Sequence, residues 1–253
     1  MSQAVLKVEN LHKAYGAIRA VAGVSFEVMP GEIFGVIGPN GSGKTTMFNS
    51  VLGQIRSDSG TVVLNGRDVT RCGPLALSRM GVGRTFQTLQ VFGKMSVRDN
   101  LLVAAQEHQG SMWGRMFAPG DSGLGAKVDA LIDQFRIRPV ADARAGTLSY
   151  GQQKLIDIAM AFMSEPALVL LDEPCAGVNP SLVGSIRKLL QELNRTRGHG
   201  AHPCSFVVIE HNMDFVMALC HRIMVMVEGR VLAIGTPAEI RANKQVLDAY
   251  LGN

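Results

Sequence analysis

Gly38-Pro39-Asn40-Gly41-Ser42-Gly43-Lys44-Thr45 is a Gly-rich loop that ends on a lysine and a hydroxyl residue. It lies between the apolar run Ile33–Ile37 and a helix-forming stretch, Thr46–Leu52. Glycines at this spacing let backbone N–H groups turn inward around a phosphate, and the helix start adds partial positive charge. Lys44 then supplies a point charge to the β- and γ-phosphates of a nucleotide, the Thr45 hydroxyl is a ligand for Mg2+, and Thr46 continues the cradle. Much later, Ala167-Leu168-Val169-Leu170-Leu171 stops on Asp172-Glu173. A strand buried on both faces delivers its C-terminal carboxylates to the crevice where ligands sit in open α/β sheets. Asp172 suits the surroundings of Mg2+, and Glu173 suits a general base that orients or deprotonates an attacking water. Each motif alone has a plain structural explanation, a Gly-rich turn or a solvated acidic strand end. As a pair they point to a nucleotide with Mg2+.

Holding these groups together takes a sheet. Short β-rich runs occur at Val5–Val8, Val24–Val28, Ile33–Ile37 and Thr61–Leu64, the last closed by Asn65-Gly66, a hairpin-turn signal. From about Val97 to Arg138 the pattern is helical, interrupted by a Gly/Met-rich loop over Gln109–Gly125. After Ser149 the spacing predicts a helix, a strand at Leu168–Leu171, a helix at Pro180–Arg195 and a strand at Phe206–Ile209. A helix at Met213–Leu219 and a strand at Ile223–Val227 follow. Continuous apolar strands alternating with helices predict a mostly parallel α/β sheet covered on both faces. The 253 residues read as a single domain, with a helical subdomain inserted over about 88–160 and a short helical tail over about 237–253.

Composition narrows the partners. Hydrophobic residues at 47% and charged residues at 18% exclude intrinsic disorder. The net charge of +4 is spread along the chain without a basic block, so no nucleic-acid partner is expected. Cys72, Cys175, Cys204 and Cys220 have no paired spacing and read as free thiols in a reducing compartment. The apolar runs are strand-sized, far short of the roughly 18 residues of a spanning helix, and the N-terminus lacks a signal-peptide core. An intracellular protein that does not cross a membrane is the expectation.

Leu148-Ser149-Tyr150-Gly151-Gln152-Gln153 opens an apolar helix just upstream of the acidic strand. Alone, Ser149 is an ordinary helix cap. Together with the two motifs above, the segment resembles the LSGGQ signature of ABC-type ATPases, and the resemblance spans essentially the whole chain. It implies a P-loop NTPase core, an N-terminal antiparallel β subdomain and an inserted α-helical subdomain, with ATP and Mg2+ as ligands. It further implies that Tyr15 stacks on adenine and that Gln87, in Arg84-Thr85-Phe86-Gln87, touches Mg2+ and water and senses a membrane partner. His211, in Val207-Val208-Ile209-Glu210-His211, takes the place of the switch histidine at the γ-phosphate. Ser149, Gly151 and Gln152 would cap the ATP held on Lys44 of a second subunit. Two positions depart from the family pattern. Tyr150 replaces the first signature glycine, and Asn179 replaces the usual aspartate of the dimer-contact loop Ala176-Gly177-Val178-Asn179-Pro180.

Finer likeness lies in Arg84-Thr85-Phe86-Gln87 with Leu89–Phe92, in Tyr150-Gly151-Gln152-Gln153, in the Asn179 loop, in Glu210-His211-Asn212-Met213-Asp214-Phe215-Val216, in Gly235-Thr236-Pro237-Ala238-Glu239-Ile240, and in the tail Ala249-Tyr250-Leu251-Gly252. This set is similar to the ATPases of branched-chain amino acid importers. The likeness implies integral-membrane permease subunits, a second ABC ATPase as hetero- or homodimer partner, and indirectly a periplasmic solute-binding protein. The place implied is the cytoplasmic side of a bacterial inner membrane. Related systems for amides, urea, aromatic acids or lipopolysaccharide export remain alternatives, as does a nucleic-acid ATPase of the same superfamily. The segment Gln109–Lys127, with Trp113, is expected either to cover a partner or to pack on the helices.

Overall fold

The computed structural model describes residues 3–85, 89–106, 122–196 and 203–251. Its strands divide by their burial. In β1 (Leu6–Tyr15) and β2 (Ile18–Val28), buried Leu6, Val8, Val24 and Phe26 alternate with exposed Lys7, Ser25 and Glu27, the pattern of a sheet with one wet face. β3 (Ile33–Ile37), β7 (Leu168–Asp172) and β8 (Ser205–Ile209) are buried at every position, as strands covered on both faces must be.

Two sheets result. An antiparallel sheet has the order β2-β1-β4-β5, with β4 at Ser59–Leu64 and β5 at Arg67–Asp68. Asn65 and Gly66 both take positive φ between β4 and β5, so the expected tight hairpin forms. The second sheet has the order β10-β9-β3-β8-β7-β6, with β6 at Val82–Arg84, β9 at Arg222–Val227 and β10 at Arg230–Gly235. It is parallel throughout except for β10, which runs antiparallel to β9. The α/β architecture with an N-terminal antiparallel sheet is therefore present.

The helices are α1 (Lys44–Val51), α2 (Pro74–Arg79), α3 (Val97–Gln106), α4 (Ser122–Gln134), α5 (Tyr150–Ala161) and α6 (Pro180–Thr196). Three more follow, α7 (Met213–Leu219), α8 (Pro237–Ala242) and α9 (Lys244–Leu251). One core contains Leu101, Leu131, Ile156 and Ile158 from α3–α5 together with Val169 and Val208 of the parallel sheet; a second seats α1 between the two sheets. Two expectations need correction. The loop predicted to reach Gly125 ends earlier, because α4 begins at Ser122 with Gly123 and Gly125 inside its first turn. The half-buried strand β10 and the short edge strand β6 were missing from the predicted order, although Val231-Leu232-Ala233-Ile234 is an unbroken apolar run like those of the other strands. Among the described residues no helix is long and apolar enough to cross a membrane. Trp113 and most of its loop lie outside the described residues.

Candidate active site

The phosphate loop leaves β3 and enters α1. Gly43 caps α1 in left-handed conformation, and a Cβ there would sit 1.9 Å from the carbonyl oxygen of Ala20, so β2 leaves room only for glycine. The turn between β9 and β10 braces the other side. Gly229 N–H donates to Ser42 O at 3.0 Å, and Ala22 N–H donates to Gly229 O at 2.8 Å. The loop is thus held between two sheets.

A cleft of about 480 Å³ opens on this loop. Asn40, Gly41, Gly43, Lys44, Thr45 and Thr46 line one side, with Glu173 and His211 also on its wall. Residues 44 and 173, distant in sequence, therefore face a common space because β3, β8 and β7 are neighbours in a parallel sheet. The Lys44 ammonium donates to Gly38 O at 2.8 Å and Pro39 O at 3.0 Å. Burial holds it below its usual pKa, against the opposing pull of Glu173 and Asp172. Gly38, Pro39 and Ser42 thus shape the lysine's end of the loop.

Asp172 is buried, and desolvation followed by the Glu173 charge lifts its carboxyl to about 6. Glu173 sits at φ 48, a left-handed conformation that costs a non-glycine residue about 1–3 kcal/mol and clusters at functional sites. Its N–H donates to Ile209 O at 2.9 Å, and its Oε1 lies 2.9 Å from His211 Nε2. A carboxylate and an imidazole are thus aimed together into the cleft that Lys44 enters.

The donors suit Mg2+. Among the described residues no group of three or more His, Cys, Asp or Glu could cage a metal ion. Mg2+ is commonly held by one or two carboxylates plus substrate phosphates, and Asp172 and the Thr45 hydroxyl are hard oxygen donors of that kind. A cation beside Asp172 would offset the burial of its charge. Gln87, the third expected ligand, lies outside the described residues.

Ser149, Gly151 and Gln152, expected at the nucleotide of a second subunit, do not line this cleft. Ser149 caps α5 in a capping box, with Gln152 N–H donating to its Oγ at 3.4 Å and Ser149 N–H donating to Gln152 Oε1 at 3.0 Å. Gly151 faces α6, where a Cβ would meet Leu182 Cδ2 at 2.5 Å. The Tyr150 ring lies over Gly177 of the Asn179 loop, so the two sequence departures belong to one packed unit. Tyr15 is exposed at the end of β1 and off the cleft wall, although its hairpin partner Ile18 is on it.

The ABC transporter family model matches residues 21–176, which runs from β2 through the phosphate loop, the signature helix and Asp172-Glu173. The chain belongs to the ABC transporter family. ATP hydrolysis is its activity. A second model, described as the branched-chain amino acid ATP-binding cassette transporter, matches residues 230–253. The chain is 38% identical to the high-affinity branched-chain amino acid transport ATP-binding protein LivG of Escherichia coli, over 100% of this chain and 99% of that one. It is 34% identical to BraF of Pseudomonas aeruginosa, of the same description and with the same coverage. Its fold superposes on the ADP conformation of MJ1267, an ATP-binding cassette of an ABC transporter, with TM-score 0.87 at 32% identity and 100% of both chains covered. A nucleotide-free cassette gives TM-score 0.86 at 31% identity, with 99% of this chain and 100% of that chain covered.

One residue of this ABC cassette escaped the sequence reading. Glu210, next to His211, is 3% exposed. Its Oε1 accepts from Cys175 N–H at 2.7 Å, and its Oε2 accepts from His211 N–H at 3.0 Å and Asn212 N–H at 3.4 Å. Burial, then the Glu210 charge, push the Cys175 thiol above its usual range. The only local signal was an acid beside a histidine at the end of an apolar strand.

Proposed function

We propose that this ATPase powers an importer of branched-chain or closely related amino acids, working as a pair of cassettes on separate membrane permease subunits. The observation that carries the catalytic half is the 2.9 Å Glu173–His211 pair on the wall of the Lys44 cleft. The cargo rests on the match of residues 230–253 and on the likeness to LivG and BraF. Lys44 and the inward N–H groups of Gly38–Thr46 bind the phosphates, and the start of α1 adds its partial charge. Thr45, Asp172 and Gln87 hold Mg2+, which when bound neutralises charge on the β- and γ-phosphates. Glu173 orients and accepts a proton from the attacking water, while His211 fixes the carboxylate and faces the γ-phosphate. Tyr15, paired with Ile18 of the cleft wall, stacks on the base.

Ser149, Gly151 and Gln152, off the wall of their own cleft, complete the site of a second cassette, identical or not. Two ATP molecules then close the pair and hydrolysis releases it, a population shift passed to the permease. The exposed Leu75 and Phe92, on a groove of about 650 Å³ between α2, α3 and α5, are the surface we assign to that partner. The chain accordingly sits at the cytoplasmic face of the bacterial inner membrane, with a periplasmic binding protein selecting the solute. Glu173→Gln tests the centre of this reading. ATP binding is expected to persist while turnover falls by about 10²-fold or more; near-normal hydrolysis would reject Glu173 as the base. Co-purification with the tagged protein from native membranes tests the rest, with two permeases, an ATPase and a binding protein expected.

A further inference from the structure

The ends of β7 and β8 are joined by two polar rungs. The first is the bond from Glu173 N–H, on a residue in left-handed conformation, to Ile209 O at 2.9 Å. The second is the Glu210 carboxylate, which spans from Cys175 N–H on one side to His211 and Asn212 N–H on the other. Both of its oxygens accept from backbone donors. A buried carboxylate that accepts several N–H bonds is a rigid connector, because leaving those donors unpaired would cost their full desolvation. The connector flanks both members of the 2.9 Å Glu173–His211 pair, reaching two residues beyond Glu173 and one before His211.

We infer that Glu210 is a positioning residue of the ATPase reaction, clamping the Glu173 and His211 backbones so that their side chains meet over the cleft. The inference rests on the catalytic roles proposed for that pair. A carboxylate is required because it alone offers two acceptors: in Glu210→Gln one acceptor becomes an NH2 that faces a backbone N–H, so one rung fails while volume is kept. Displacements of this kind, of the order of 1 Å, can cost up to about 10²-fold in rate.

The test compares wild type, Glu210→Gln, Glu173→Gln and the double variant as full-length chains. It measures Mg2+-ATP turnover, binding of trinitrophenyl-ATP and the melting temperature. Glu210→Gln is expected to lower kcat by about 10-fold or more with KM for ATP within about twofold, and to add less than about twofold to the loss in Glu173→Gln. A kcat within twofold of wild type overturns the clamp, as does a fully multiplicative loss in the double variant. A loss of nucleotide binding in step with melting also overturns it, since that is general unfolding. If Glu173→Gln itself turns over normally, the catalytic reading falls and the clamp with it; if only Glu210→Gln is normal, the clamp alone falls.

Discussion

Gly151 shows how one position can have two reasons to be small. The signature motif makes it a residue offered to a partner's nucleotide, and the fold makes it the contact point of α5 with α6, 2.5 Å from Leu182 Cδ2 were a Cβ present. Gly151→Ala is therefore expected to destabilise the chain by about 1–2 kcal/mol through overpacking. Leu182→Ala in the same chain should recover part of that loss, which paired melting curves would reveal; no recovery would mean that Leu182 is not the obstacle. Residue-level legibility followed locality. Lys44, Thr45, Asp172 and Glu173 lie in contiguous runs whose chemistry can be read in place. Glu210 earns its place only through Cys175, 35 positions away, and such a pairing has no local signature.

Helix α5 joins the signature to the buried interior and brings two charges with it. Lys154 and Asp157 are both buried on it, and Asp157 is lifted to about 6 by desolvation, against the opposing effects of Lys154 and the Gln90 N–H. A carboxyl whose folded pKa is raised stabilises the fold at low pH. Its contribution is complete below the ordinary value of 3.8 and is lost as pH rises through about 6. Asp157→Asn removes that titration. The difference in melting temperature between variant and wild type should thus move in the variant's favour from pH 4.5 to 7.5, by the equivalent of about 2 kcal/mol. A constant difference would place the charge elsewhere. At this scale the strands buried on both faces were legible because they are unbroken apolar runs, as in Val207–Ile209. The start of α4 was hidden by Gly123 and Gly125, which disfavour a helix locally but are carried by the packing of Val128, Leu131 and Ile132 behind them.

In the whole molecule, the cleft holding Lys44, Glu173 and His211 excludes the chain's own Ser149. Turnover per chain should accordingly rise with protein concentration as cassettes meet, and ATP should drive Glu173→Gln into dimers seen by sedimentation. Activity independent of concentration would argue for a self-sufficient site. The signature residues were legible as a motif, and their service to a second cassette as what the resemblance implies, whereas the capping box and the Gly151–Leu182 contact were not, because they depend on how α5 packs. The turn at Glu228-Gly229 carries a practical consequence. A family boundary falls at residue 230, which invites hybrid proteins that exchange the last two dozen residues between relatives. Yet the residue just before that splice is the one whose N–H grips Ser42 and whose carbonyl holds Ala22. Hybrids joined at 229/230 would test the phosphate loop's footing as much as the tail's origin, and a junction beyond β10, after Gly235, would keep the two questions apart.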